Sequence, residues 1–305
     1  MADVSAERSP RVLILGGTGM LGHKLWQVCR RECDCYVTVR AGDAARLPTA
    51  IFDPDRVVTG VTADDFDSVV QAFATVRPTV VVNCIGIVKQ QRAAHDPLAS
   101  LAVNAAFPHR LARLCMATGA RLIHLSTDCV FSGTRGNYTE ADPPDPPDIY
   151  GRTKLLGEVG EGALTIRTSM IGRELTTSQG LIEWFLSRRG GSASGFRRAI
   201  FSGLTTIALA ETIAMIIREQ PTLSGIWHVA AEPIAKYTLL ALVRDAMHLD
   251  IELIADDTVV IDRSLDGARF HDATGWVAAT WPTMIAEMAA DPTPYERLRG
   301  EHAGE

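Results

Sequence analysis

Tyr150-Gly151-Arg152-Thr153-Lys154 places a phenol and an ammonium four residues apart. On a helix that spacing sets both groups on one face. To trade protons near neutral pH, a phenol with a reference pKa of about 10 needs a drop of roughly three units, or about 4 kcal/mol of preferential stabilisation of its phenolate. A neighbouring ammonium contributes to that drop. The spacing alone is a common accident of helices and gains force only from its surroundings. Leu125-Ser126-Thr127-Asp128 supplies the company. A hydroxyl at the C-terminal end of a strand lies in the crevice where open α/β sheets bind ligands. Thr127 is there to hydrogen-bond a substrate carbonyl and the tyrosine.

Gly16-Gly17-Thr18-Gly19-Met20-Leu21-Gly22 follows an apolar run and opens a helical stretch. Gly16 permits the tight turn, Gly19 lets a pyrophosphate approach the backbone, and Gly22 lets the helix pack close to the sheet. The helix start then offers free N–H groups and a positive dipole end to the phosphates. The spacing is G-x-x-G-x-x-G rather than G-x-G-x-x-G, and a glycine triplet also serves packing, so the strand–turn–helix context carries the dinucleotide reading. The nicotinamide ring of such a cofactor adds a second positive charge beside Tyr150. An Asp or Glu ending the second strand favours NAD; here Tyr36-Val37-Thr38-Val39 ends in Arg40, whose guanidinium suits a 2′-phosphate. The expectation is NADP(H). If Arg40 only stacks on the adenine, NAD(H) is usable too.

These groups need a sheet beneath them. Residues 12–15, 35–39, 56–61, 79–82, 121–125 and 164–167 read as strands. Residues 20–31, 64–74 and 97–118 read as helices, the second with Phe66, Val69, Val70 and Phe73 on one face and the third ended by Gly119. Buried strands alternating with helices predict an α/β fold, a Rossmann-type doubly wound parallel sheet with a smaller C-terminal substrate-binding part. The four prolines of residues 141–148 predict a rigid surface loop. Residues 205–218 and 239–247 read as amphipathic helices. The Gly/Ser-rich residues 190–195 read as a mobile loop. The expected division is a flexible tail at 1–10, a dinucleotide domain at 11–165 with later returning segments, a mainly substrate-binding part at 166–290, and a tail at 291–305.

Apolar residues make up 47 % and charged residues 22 %, with a net charge of −6, so neither nucleic acid nor a membrane is expected as partner. Cys29, Cys33, Cys35, Cys84, Cys115 and Cys129 form no zinc-type spacing. They are expected as reduced packing residues, with no metal site. The N-terminus lacks an apolar signal core, and cytoplasmic localisation is the expectation.

The motifs GGTGMLG at Gly16, VVNCIG at Val81, VNA at Val103, LSTDCVFSG at Leu125, YTE at Tyr138, YGRTKLLGE at Tyr150, IRTSMIG at Ile166 and FSGLTT at Phe201 together resemble the extended short-chain dehydrogenase/reductases. Within them the chain looks most like the dTDP-4-dehydrorhamnose reductase group, over about residues 11–235. The resemblance implies a reductase of a keto group, C4 of a nucleotide-linked deoxysugar, with Thr127, Tyr150 and Lys154 as catalytic triad and Tyr150 as proton donor. It implies that Asn83, Cys84, Ile85 and Gly86 line the cofactor and that Asn104 orders the site, or else caps or packs. A homodimer is left open. Relatives of the same fold include dehydratases, which follow the threonine with Asp-Glu; Cys129 stands in the second place here and disfavours that reaction. Epimerases with a small residue in place of Asp128, and a regulatory subunit of methionine adenosyltransferase, are the remaining alternatives. Lys89, Gln90, Gln91, Arg92, Arg197 and Arg198 are candidate phosphate contacts or solvated polar groups.

Overall fold

The run Val12-Leu13-Ile14-Leu15 alternates its side chains between two apolar layers, so its strand must lie in the middle of a sandwich. The computed structural model of the chain describes residues 9–44, 47–89 and 96–300. In the first half, β1 (Arg11–Leu15), α1 (Gly22–Cys29), β2 (Asp34–Val39), α2 (Ala41–Ala44), β3 (Val57–Thr59), α3 (Phe66–Val76) and β4 (Val80–Asn83) alternate. They are followed by α4 (Pro97–Ser100), a π-helical stretch (Leu101–Ala106), α5 (Phe107–Thr118), β5 (Arg121–Leu125), α6 (Ile149–Leu156) and β6 (Ala163–Arg167).

The second half runs β7 (Met170–Ile171), α7 (Leu181–Leu186), β8 (Gly191–Phe196), β9 (Ala199–Phe201), β10 (Leu204–Thr205), α8 (Thr206–Glu219) and β11 (Gly225–His228). It continues through β12 (Ile234–Ala235), α9 (Lys236–Ala246), β13 (Ile251–Asp256), β14 (Ile261–Asp262), α10 (Ala268–Thr274), α11 (Trp281–Ala289) and α12 (Tyr295–Gly300).

Seven strands form one sheet in the order β11-β6-β5-β4-β1-β2-β3, every neighbour parallel. Val12 and Ile14 face a layer holding Leu25, Trp26, Ile213 and Leu209; Leu13 and Leu15 face one holding Val69, Phe73, Phe107 and Leu111. This is the doubly wound fold expected. The chain order reverses between β1 and β4, and the crevice outside their C-terminal ends is where such sheets bind ligands.

Four expectations are corrected. Val70 faces solvent, and α3 buries Val69, Ala72, Phe73 and Val76 instead. The helix expected over 97–118 is interrupted by the π stretch. The loop expected over 190–195 is strand β8, paired in parallel with β13 from Gly191↔Ile251 to Phe196↔Asp256. Its ladder uses main chain only, Ala193 is buried, and Gly195 sits where a Cβ would press on Tyr237, so tertiary pairing overrides a weak strand propensity. The tail expected from residue 291 is docked as far as α12: Asp291 forms a buried ion pair with Lys24 at 2.5 Å, and Tyr295 and Leu298 are core residues. Among the described residues no helix is long and apolar enough to cross a membrane.

Candidate active site

The turn after β1 is built from glycines with different duties. Gly16 has φ +86°, a backbone that side chains disfavour, and its N–H donates to the Thr38 hydroxyl at 3.2 Å. A Cβ on Gly17 would run into Val37, and one on Gly22 would overlap the Gly16 carbonyl. Gly22 therefore lets α1 close on the turn itself, where packing on the sheet was expected, and Gly17 is a requirement that the triplet pattern missed. Gly19 is exposed, with only the Gly16 carbonyl near its Cβ position, so its backbone is open to an incoming group. Leu21 turns its side chain into the core and Met20 is half-buried; Thr18 donates its hydroxyl to Asp43 at 3.1 Å.

Arg40 leaves the end of β2 mostly exposed and pairs with the same Asp43 at 3.0 Å. Between these groups lies a cavity of about 230 Å³ lined by Thr18, Asp43, Leu47, Leu175, Thr176 and Leu298. Thr18, Arg40 and Asp43 thus meet at the place where a dinucleotide's adenosine ribose would lie.

Thr127 follows the end of β5 in extended conformation; its hydroxyl accepts from the Cys129 N–H and donates to the Asp128 carboxylate, both at 3.1 Å. Asp148 caps α6 by accepting from Gly151 N–H at 2.8 Å, which sets Tyr150 and Lys154 in the helix. Gly151 and Gly157 let that helix press backbone to backbone: a Cβ on either would overlap the carbonyl of Cys129 or of Asn104. The Lys154 ammonium donates to the Leu125 carbonyl at 2.6 Å and lies 3.9 Å from a Cβ position on Gly86. The end of β5, the loop after β4 and α6 therefore converge.

The electrostatics depart from expectation. Burial pushes the Tyr150 phenol above its ordinary value, Cys129 adds to this, and a hydrogen bond with Thr127 opposes it. The expected net lowering is absent because burial outweighs it; the Lys154 ammonium is held on the Leu125 carbonyl. Burial pulls Lys154 itself down to about 8, against the opposing pull of Glu158 and Cys84. The phenol is thus held protonated at neutral pH. Burial raises Asp128, while Arg263 opposes most and Lys236 less. The Cys129 thiol is pushed up to about 12 by burial and by Asp128, so at neutral pH it is no base.

Two buried networks hold this assembly. Asn104, on the π stretch, grips Ile87 at both ends: its Oδ1 accepts from the Ile87 N–H and its Nδ2 donates to the Ile87 carbonyl, each at 2.9 Å. π turns recur at functional sites, and this one fixes the segment Cys84-Ile85-Gly86 beside Lys154. Asn83 holds the same segment from below through Ile85 N–H at 3.1 Å. Glu158 accepts from Arg167 Nε and Nη2 at 2.8 Å and from the Ser126 hydroxyl at 2.6 Å, tying α6 to the strand ends beside Thr127.

Lys89 pairs with Asp148 at 2.7 Å; Gln90, Gln91 and Arg92 lie outside the described residues. Arg197 pairs with Asp257 on the surface. Sequence reasoning missed Asp43, Glu158, Lys236 and Arg263. An acidic residue four positions past a strand and two isolated cations far along the chain carry no local signal.

The family model described as RmlD substrate binding domain matches residues 10–259. The dTDP-4-dehydrorhamnose reductase of Streptomyces griseus is 35 % identical over 150 residues, 49 % of this chain and 44 % of that protein, so the chain spans less than half the length of that relative. The methionine adenosyltransferase 2 subunit beta of Mus musculus is 26 % identical over 91 % of this chain and 89 % of its own. The structure of a dTDP-4-dehydrorhamnose reductase from Bacillus anthracis in complex with NADP superposes with a TM-score of 0.75 over 92 % of this chain and 98 % of that one, at 21 % identity, a likeness of fold. With the family model matching most of its length, the chain belongs to the RmlD substrate binding domain family.

Proposed function

We propose that the chain is an NADPH-dependent reductase of a keto group, C4 of a nucleotide-linked deoxysugar. The observation that carries this reading is the convergence of Thr127, Tyr150 and Lys154 where the end of β5 and α6 meet the loop after β4. The exposed Gly19 backbone and the guanidinium of Arg40 suit the phosphates of the dinucleotide. When bound, NADPH supplies the hydride. Thr127 polarises the carbonyl through its hydroxyl. Tyr150 delivers its proton to the carbonyl oxygen as that oxygen gains charge. Lys154 favours the phenolate left behind and orients the ribose hydroxyls of the cofactor. NAD(H) as cofactor is the variant of this reading in which Asp43 rather than Arg40 meets the ribose. The relatives named as dTDP-4-dehydrorhamnose reductases support the substrate class, and the protonated Cys129 thiol speaks against elimination of water.

A regulatory role is the second reading, favoured by the length over which the methionine adenosyltransferase subunit matches. The assembled triad weighs against it. The test is NADPH oxidation in the presence of 4-keto-6-deoxy nucleotide sugars. Wild type turns over, and Tyr150→Phe loses about 10²–10⁴-fold while still binding NADPH. Near-normal turnover by the variant refutes the mechanism, and absence of turnover by wild type favours the regulatory reading.

A further inference from the structure

His23 sits fully buried on the first turn of α1, one end of its ring on the glycine turn and the other on the C-terminal segment. Its Nδ1 lies 2.8 Å from the Gly19 carbonyl and its Nε2 lies 3.0 Å from the Tyr295 hydroxyl. A carbonyl only accepts, so Nδ1 carries the hydrogen. Burial pulls His23 down to about 4, so the ring is neutral and Nε2 accepts. The Tyr295 phenol is then the donor, its single hydrogen divided between the Asp291 carboxylate at 2.8 Å and Nε2 at 3.0 Å. Asp291 is fixed in turn by Lys24 at 2.5 Å, and Lys24 also donates to Thr293 at 2.9 Å.

The peptide plane passes this clamp to the ligand side. The Gly19 carbonyl and the Met20 N–H belong to one planar trans unit and point in opposite directions. Holding the oxygen against His23 therefore aims the Met20 N–H outward, away from the helix, at the start of α1 where anions bind. The same segment also reaches the adenosine side, because Leu298 lines the cavity shared by Thr18 and Asp43. It is fastened from outside the site as well: Arg173 lies over the Tyr295 ring at 4.6 Å and bonds Glu296 at 2.7 Å, and Arg299 pairs with Glu183.

We propose that residues 291–298 are a positioning element of the dinucleotide site, holding the Gly19–Met20 peptide through Tyr295 and His23 and closing the adenosine side with Leu298. The inference rests on the dinucleotide reading above. Tyr295→Phe keeps the ring and removes the hydroxyl. In the folded variant, the NADPH Kd rises about tenfold with kcat retained, while dTDP binding, measured by calorimetry, stays within about twofold. An unchanged NADPH Kd overturns the proposal, and so does an equal loss for dTDP, which would mark a general loss of structure. Coupling is reciprocal, so wild type gives a second measurement that needs no variant. Saturating NADPH slows amide exchange across residues 293–298, and dTDP alone does not. No slowing by bound NADPH overturns the proposal. Failure of wild type to bind NADPH overturns the functional reading and this inference with it, whereas normal wild-type binding without coupling overturns this inference alone.

Discussion

Arg40 and Asp43 make opposite claims on a cofactor, and their ion pair lets the claims be separated. If Arg40 receives a 2′-phosphate, Arg40→Ala removes charge-assisted hydrogen bonds worth about 1.5–3 kcal/mol, or roughly 10- to 150-fold in NADPH affinity, and leaves NADH nearly unchanged. Before NADPH is bound, the guanidinium rests on Asp43 at 3.0 Å, with the Arg40 side chain 69 % exposed. A pair that open to water is worth about 0–1 kcal/mol. Asp43→Ala therefore frees Arg40 and tightens NADPH by up to about fivefold. Thr18 also loses its acceptor, but its half-buried hydroxyl is within reach of water. The assay is the Kd of NADPH and of NADH for wild type and both variants at fixed ionic strength. The reasoning is refuted if Arg40→Ala leaves the preference unchanged. It is also refuted if Asp43→Ala weakens NADH selectively, because Asp43 would then be a ribose ligand and NAD(H) the cofactor.

Other consequences are open to measurement. Ribose hydroxyls and phosphates favour the ammonium form of Lys154, which is charged below about 8 and neutral above it; NADPH affinity should fall as pH rises through that value, and a profile just as steep in Lys154→Met would remove the residue from the explanation. Glu158→Gln strands the buried Arg167 guanidinium and should cost about 3–5 kcal/mol in urea unfolding. A loss below about 1 kcal/mol would show that His228 and the substituted amide suffice to hold Arg167.

What could be read from the chain beforehand follows the range of the forces involved. β1, the glycine turn and α1 are contiguous, and their apolar run, φ requirement and helix start all act within a dozen residues. Tyr150 and Lys154 are neighbours on one helix, so their shared face was legible. The direction of the Tyr150 shift was not, because it depends on how deeply the phenol is buried once distant segments close on it. β8 was hidden because its ladder partner starts 60 residues later and its own residues are weak strand formers. The docking of residues 291–298 was hidden for a related reason. Asp291, Thr293 and Tyr295 are ordinary polar and aromatic residues until Lys24 and His23, some 270 positions earlier, are brought against them.

The π stretch has a consequence for how this site could be lost. An i→i+5 turn accommodates one residue more than an α-turn of the same span. Deleting Ala102 should let α4 and α5 run on as one regular helix, with the apolar stripe of Phe107, Leu111 and Cys115 still seated on the sheet. The Asn104 amide would leave Ile87, and the Cys84-Ile85-Gly86 segment would lose its upper fastening. The shortened protein should melt near the wild-type temperature yet bind NADPH poorly. The extra residue is thus a cost borne by the helix for the sake of the site, and its removal separates the ability to fold from the ability to react.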